Sequence, residues 1–217
     1  LRAQRIDQRS DGGRSALGQL ETALRVAQQR PGTQSELRQL IESQPLLLAH
    51  WLRHADASLA DAQLAEMGAS TPVFFDSLPE DARLPLLNRW ITLPSGAGAV
   101  AYMEARNAPA PGAYWRTLAN FYAKEGDKER AVRLVAGAEG ISLEERAVGG
   151  EFGRQLAGLE AQGNEVAVRR LLKEAVEAKA PEAERLATAV NWYGAAGDWE
   201  MAWRAASRLV STRKIGQ

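Results

Sequence analysis

Apolar residues recur three and four positions apart along nearly the whole chain, as in Leu17, Leu20, Leu24 and Ala27 or in Val168, Leu171, Leu172 and Val176. That is the period of a helix with one buried stripe. The alternating β-branched and aromatic residues that would mark a strand are absent. The nearest candidate, TPVFFD at 71–76, is short and opens beside Pro72, so it predicts the start of a helix. The pattern therefore predicts an all-α fold.

Breakers divide the helical pattern at Pro31-Gly32, Pro45, Gly68 to Pro72, Pro79, Pro94 to Gly98 and Pro109 to Gly112. Further on they fall at Gly137 to Gly140, Gly149-Gly150, Gly163-Asn164, Pro181 and Gly197-Asp198. Such spacing predicts short antiparallel helices joined by tight turns. No long polar linker separates independent domains, so one continuous array is expected. Glycine at a corner accepts a positive φ at the end of one helix, and the Asp or Asn after it can cap the next.

One stretch carries a recognisable signature. In WRTLANFYAKEGDKERAVRLVAGA, residues 115–138, Trp115, Leu118, Ala119 and Tyr122 fall in a first helix, Gly126-Asp127 in the turn, and Ala131, Val135 and Ala138 in a second. The spacing resembles the tetratricopeptide repeat, a helix-turn-helix unit of about 34 residues. Weaker copies follow: Phe152, Leu159, Gly163, Val168, Leu172 and Ala175 with Pro181, then Leu186, Ala189, Tyr193, Gly197, Ala202, Ala206 and Leu209. Upstream, Leu86, Leu87, Trp90, Pro94, Ala99, Met103 and Pro111 fit the same frame, as do Leu47, Leu48, Trp51, Ala55, Ala60, Leu64, Met67 and Pro72. The turns at 55, 94, 126, 163 and 197 lie 39, 32, 37 and 34 residues apart, an irregular beat.

The resemblance implies a right-handed superhelical array, an α-solenoid, of about five irregular hairpins over residues 44–217, with residues 1–43 as N-terminal capping helices. It also implies a concave groove that receives a peptide or protein segment. Asn88, Asn120 and Asn191 occupy the first-helix position that faces the groove in that family, and an amide offers an extended main chain both a donor and an acceptor. Arg116, Lys124 and Arg154 fall on the same side of the alignment and would add charge for a carboxylate.

Composition narrows the remaining possibilities. Basic and acidic residues balance at 27 each, so no positive stripe steers the chain to nucleic acid or an anionic membrane surface. The chain has no cysteine, which excludes disulfides, thiolate zinc sites and a cysteine nucleophile. His50 and His54 are one helical turn apart, a spacing able to share a metal. These are the two histidines of the chain, and the glutamate that zinc proteases carry beside the first histidine is missing, so core or surface roles are favoured and no metal site is expected. Phosphate-loop, dinucleotide and nucleophile-elbow motifs are also missing; the expectation is a protein without catalysis or cofactor.

Six tryptophans dominate the aromatic content. Trp51, Trp90 and Trp115 fit core positions, whereas Trp192, Trp199 and Trp203 crowd the last hairpin, so some of that group are expected to face outward, toward an absent helix, a partner or a second copy. Arginine outnumbers lysine 22 to 5, a bias of GC-rich bacterial coding. The start at Leu1 is read as a processed protein or an excised domain, with a lean to the extracytoplasmic part of a bacterial protein. Two functions remain: an interaction scaffold with a peptide in its groove, or the soluble assembly tail of a larger, membrane-bound envelope or glycan-handling protein.

Overall fold

The computed structural model describes Thr22, residues 43–107 and residues 112–215. The expected capping helices over 1–43, except Thr22 and Ser43, and the Pro109 and Pro111 breakers lie outside the described residues. Among those described there are eleven α-helices, two short 3-10 turns and no strand. The chain is all-α. Thr71–Ser77 is helical, as Pro72 at its start predicts.

The chain divides into two compact units, residues 1–102 and 103–217. The first contains α1 (Pro45–His54), α2 (Ala57–Met67), α3 (Thr71–Ser77), α4 (Glu80–Trp90) and the first part of α5 (Ala97–Arg106). The extensive contact of α1 is with α4, not with its chain neighbour α2, so the upstream hairpins expected from the repeat frame do not pair as written. Arg89 of α4 fastens this contact by donating one Nη group to the carbonyl of Leu52 and the other to that of Ala55. Those carbonyls end α1 and have no partner within their own helix.

Aromatic rings close the core of this unit. Phe75 stacks on Trp90 with centroids 5.3 Å apart and meets Tyr102 at 5.2 Å. The polar ends of these rings are satisfied: Trp90 Nε1 donates to Ser95 Oγ at 2.8 Å, and the Tyr102 hydroxyl to Asp76 Oδ1 at 2.8 Å.

The second unit contains three true hairpins: α6 (Trp115–Lys124) with α7 (Lys128–Glu139), α8 (Gly150–Ala161) with α9 (Glu165–Glu177), and α10 (Ala183–Ala195) with α11 (Trp199–Ile215). Their corners are copies of one another. Gly126, Gly163 and Gly197 have φ of 89°, 71° and 72°. The amide after each glycine donates back to the last turn: Asp127 to Tyr122, Asn164 to Leu159 and Asp198 to Tyr193, all at 2.9 Å. The side chains of Asp127, Asn164 and Asp198 then accept from the amides of Arg130, Ala167 and Met201 at 3.0, 3.2 and 3.1 Å. Each corner thus ends one helix with a left-handed glycine and caps the next, as the Gly-Asp and Gly-Asn pairs predict.

The hairpins do not stack in chain order. Beyond its own hairpin α7 packs mainly on α11 and also touches α10, while α8 and α9 pack on α10, and α9 also touches α11. The third hairpin therefore lies between the first and the second. α7 and α11 run parallel, with Lys128 paired to Glu200 at one end and Glu139 to Arg213 at 2.6 Å at the other. A sequential solenoid would have placed α8 and α9 against α7. The connection 141–149, without helix or strand, makes the detour possible: nine residues span about 30 Å when extended, enough to cross helices about 10 Å apart. Small residues line the tight contact, with Ala131, Ala202, Ala205 and Ala206 wholly buried.

Candidate functional site

Of the six residues expected in a groove, Asn191 has a different role. It is 2% exposed, and its amide holds the connection 141–149. Nδ2 donates to the carbonyls of Ser142 at 2.7 Å and Glu145 at 2.8 Å, and Oδ1 accepts from the Ala147 amide at 2.6 Å. Trp192 Nε1 adds a bond to the Ala147 carbonyl at 2.9 Å. Asparagine does hold an extended main chain, as its chemistry suggested, but the chain is the protein's own. This corrects the assignment of Asn191 to a partner.

Arg116, Asn120 and Lys124 lie at four-residue spacing on α6 and are exposed, so they share one open stripe. The Arg116 guanidinium sits 5.1 Å from the Trp115 ring. Arg154 is exposed on α8, and Asn88 is exposed on α4, in the other unit. None of these five residues lines the cleft of the second unit.

The concavity lies elsewhere in the second unit. A cleft of about 830 Å³ opens between α9, the end of α10 and the first turns of α11. Val168, Leu172, Ala196 and Met201 supply apolar wall, and Trp192 and Tyr193 line it further. Ion pairs edge it: Glu165 with Arg169 at 3.5 Å, Lys173 with Glu177 at 3.9 Å, and Arg146 with Glu160. Arg204, also lining the cleft, pairs with Glu200 at 3.3 Å.

Tyr193 is the distinctive group here. It is 8% exposed, and among the described residues nothing accepts from or donates to its hydroxyl. Burial, then the charges of Asp198 and Glu177, push its pKa up to about 12. Tyr122, also raised to about 12, differs: burial acts together with Glu104, which accepts its hydroxyl proton. In the sequence Tyr193 fits the repeat frame and Asp198 a turn, and neither position signals that the two line one cleft with Glu177.

Of the last-hairpin tryptophans, one is buried and two remain partly exposed. Trp192 is 2% exposed; Trp199, beneath the Arg133 guanidinium at 5.5 Å, and Trp203 are half-buried. His50 and His54 approach to 4.6 Å between ring centroids, and the His50 pKa is lowered by burial, then by His54 and Arg53. Among the described residues no three His, Asp or Glu side chains come together as a metal set, and no helix is long and apolar enough to cross a membrane. Comparison with known proteins finds no matching family model, no matching curated protein and no matching solved structure.

Proposed function

We propose that the second unit is a binding module that receives an extended segment of another protein in the cleft between α9, α10 and α11, without covalent chemistry of its own. The observation that carries this reading is the cleft itself: about 830 Å³ of concave space with an apolar wall and a charged rim. A peptide of a few residues fits that volume, and mixed apolar and polar lining is what short-segment recognition uses. The exposed stripe of Arg116, Asn120 and Lys124 is a convex alternative with less surface to surround a ligand.

A photo-crosslinking amino acid at Ala196, an exposed residue on the cleft wall, tests the reading against the same group at Asn120. Crosslinked partner peptides are expected from position 196, and Ala196→Trp, which fills the cleft, should abolish their capture. Crosslinks from position 120 alone would move the partner to the α6 stripe and end the cleft reading.

A further inference from the structure

We infer that the α8–α9 hairpin is a movable jaw of the cleft, hinged at its base and latched at its tip by the Arg146–Glu160 ion pair. The inference rests on the cleft reading but concerns how the cleft opens, so it is tested without a ligand. No residue from 157 to 167 is buried, a stretch that holds the end of α8, the corner and the first turn of α9. The unburied stretches at the other two corners, 123–130 and 195–201, are shorter. α8 and α9 also touch one another far less than the helices of either other hairpin do, so the pair is splayed. Few buried contacts and low local density are the physical marks of a part that opens at low cost in free energy.

The base of the hairpin is firmly held. Phe152, Gly153 and Leu156 of α8 and Val168, Leu172, Ala175 and Val176 of α9 are buried, and the Arg208 guanidinium donates to the carbonyls of Val176 and Ala178 at the end of α9. At the tip, among the described residues, the one ion pair or hydrogen bond that ties 157–167 to another part of the unit is Glu160 with Arg146. Arg146 is a fixed post. Asn191 holds the Glu145 carbonyl and the Ala147 amide on either side of it, Trp192 holds the Ala147 carbonyl, and the guanidinium lies 5.2 Å from the Trp192 ring centroid. Arg146, Glu160, Gly163 and Glu165 all line the cleft, so release of the pair frees one wall of it. The two side chains are 41% and 43% exposed, and an ion pair this open to water is weak and screened by salt, which suits a latch better than a structural bond.

The chain has no cysteine, so introduced cysteines carry spin labels without background. Gln162→Cys with Ala196→Cys spans the cleft from the tip to the α10–α11 corner, and Lys124→Cys with Ala196→Cys joins two exposed positions outside the jaw as the control. Pulsed electron resonance on the full chain should resolve a main 162–196 distance and a longer one. Glu160→Gln should raise the ratio of long to short about twofold to fivefold, the range that an exposed ion pair commands, and about 1 M salt should raise it similarly. The 124–196 distances should stay as they are. Identical 162–196 distributions in the parent, in Glu160→Gln and in high salt overturn the jaw. Equal broadening of the control pair overturns it too, because the whole unit is then loosening. Amide exchange separates turning from fraying: protection along 165–173 should persist in Glu160→Gln, and its loss overturns a motion of the hairpin as one body. A hairpin found fixed leaves the cleft as a docking site, which crosslinking at Ala196 decides separately.

Discussion

In the first unit, helix starts fall on prolines, with Pro45 opening α1 and Pro72 opening α3, and the core closes on the stacked rings of Phe75 and Trp90. In the second, helices turn at Gly126, Gly163 and Gly197, alanines let α7 and α11 approach, and a buried amide pins the one long connection. Both units nevertheless share one device, an arginine fork on the carbonyl end of a distant helix: Arg89 on Leu52 and Ala55, and Arg208 on Val176 and Ala178. Rigid rings make the first unit depend on shape. Corners and polar bonds make the second depend on direction. A single substitution should therefore damage one unit and leave the other, and the following variants test that separation.

Asn191→Leu should have the largest effect. It leaves the carbonyls of Ser142 and Glu145 and the amide of Ala147 without their bonds, which should cost about 3 kcal/mol or more of unfolding free energy. Hydrogen exchange at Ala147 should accelerate while the first unit keeps its protection. Acceleration in both units alike would break the proposed independence.

Glycine replacements sharpen the contrast between rigid and yielding neighbours. A Cβ at Gly98 would lie 2.6 Å from an indole carbon of Trp90, itself fixed by its stack on Phe75. Gly98→Ala should therefore cost about 2 kcal/mol even though alanine suits a helix better. At Gly194 a Cβ would lie 2.7 Å from the tip of Leu143, a side chain able to turn away. There the helix-propensity gain of about 1 kcal/mol should nearly offset the crowding. Equal costs in thermal unfolding would remove the distinction.

Arg89→Met and Arg208→Met should each cost about 1.5 kcal/mol, similar in the two units because each frees two carbonyls at a helix end. The loss should change little with salt, since the acceptors are neutral. At the corners, Asp127→Ala should cost about 1 kcal/mol while Asp127→Asn remains close to the parent, as both polar side chains can cap α7.

The smallest effect is alkaline and belongs to the second unit. Tyr122 and Tyr193 hold their protons up to about pH 12 in the folded chain, whereas an unfolded phenol releases its proton near 10. Their contribution is whole below pH 10 and is lost as the pH rises toward 12, because the unfolded state ionises first. Tyr122→Phe should flatten part of that decline in unfolding free energy measured between pH 9 and 12.

Helices and corners were legible in the sequence because they are decided within a few residues: apolar spacing selects the buried stripe, a glycine permits positive φ, and an Asp or Asn caps the helix after it. The three downstream hairpins follow from those rules. The candidate site was not legible in the same way. Asn191 has the residue type suited to holding a main chain, yet only the fold brings Ser142, Glu145 and Ala147 to it from more than forty positions away.

The sequence by itself determined the all-α class, the three Gly-Asp and Gly-Asn corners and most of the buried stripe. Tertiary structure alone decided that α7 lies beside α11, that α1 pairs with α4, that Trp192 is buried and that Tyr193, Asp198 and Glu177 share a cleft. Local rules create apolar faces of similar composition on every helix, and such faces do not name their partners. The choice among them follows from side-chain shape, from the reach of connection 141–149, and from polar groups that must find bonds once buried.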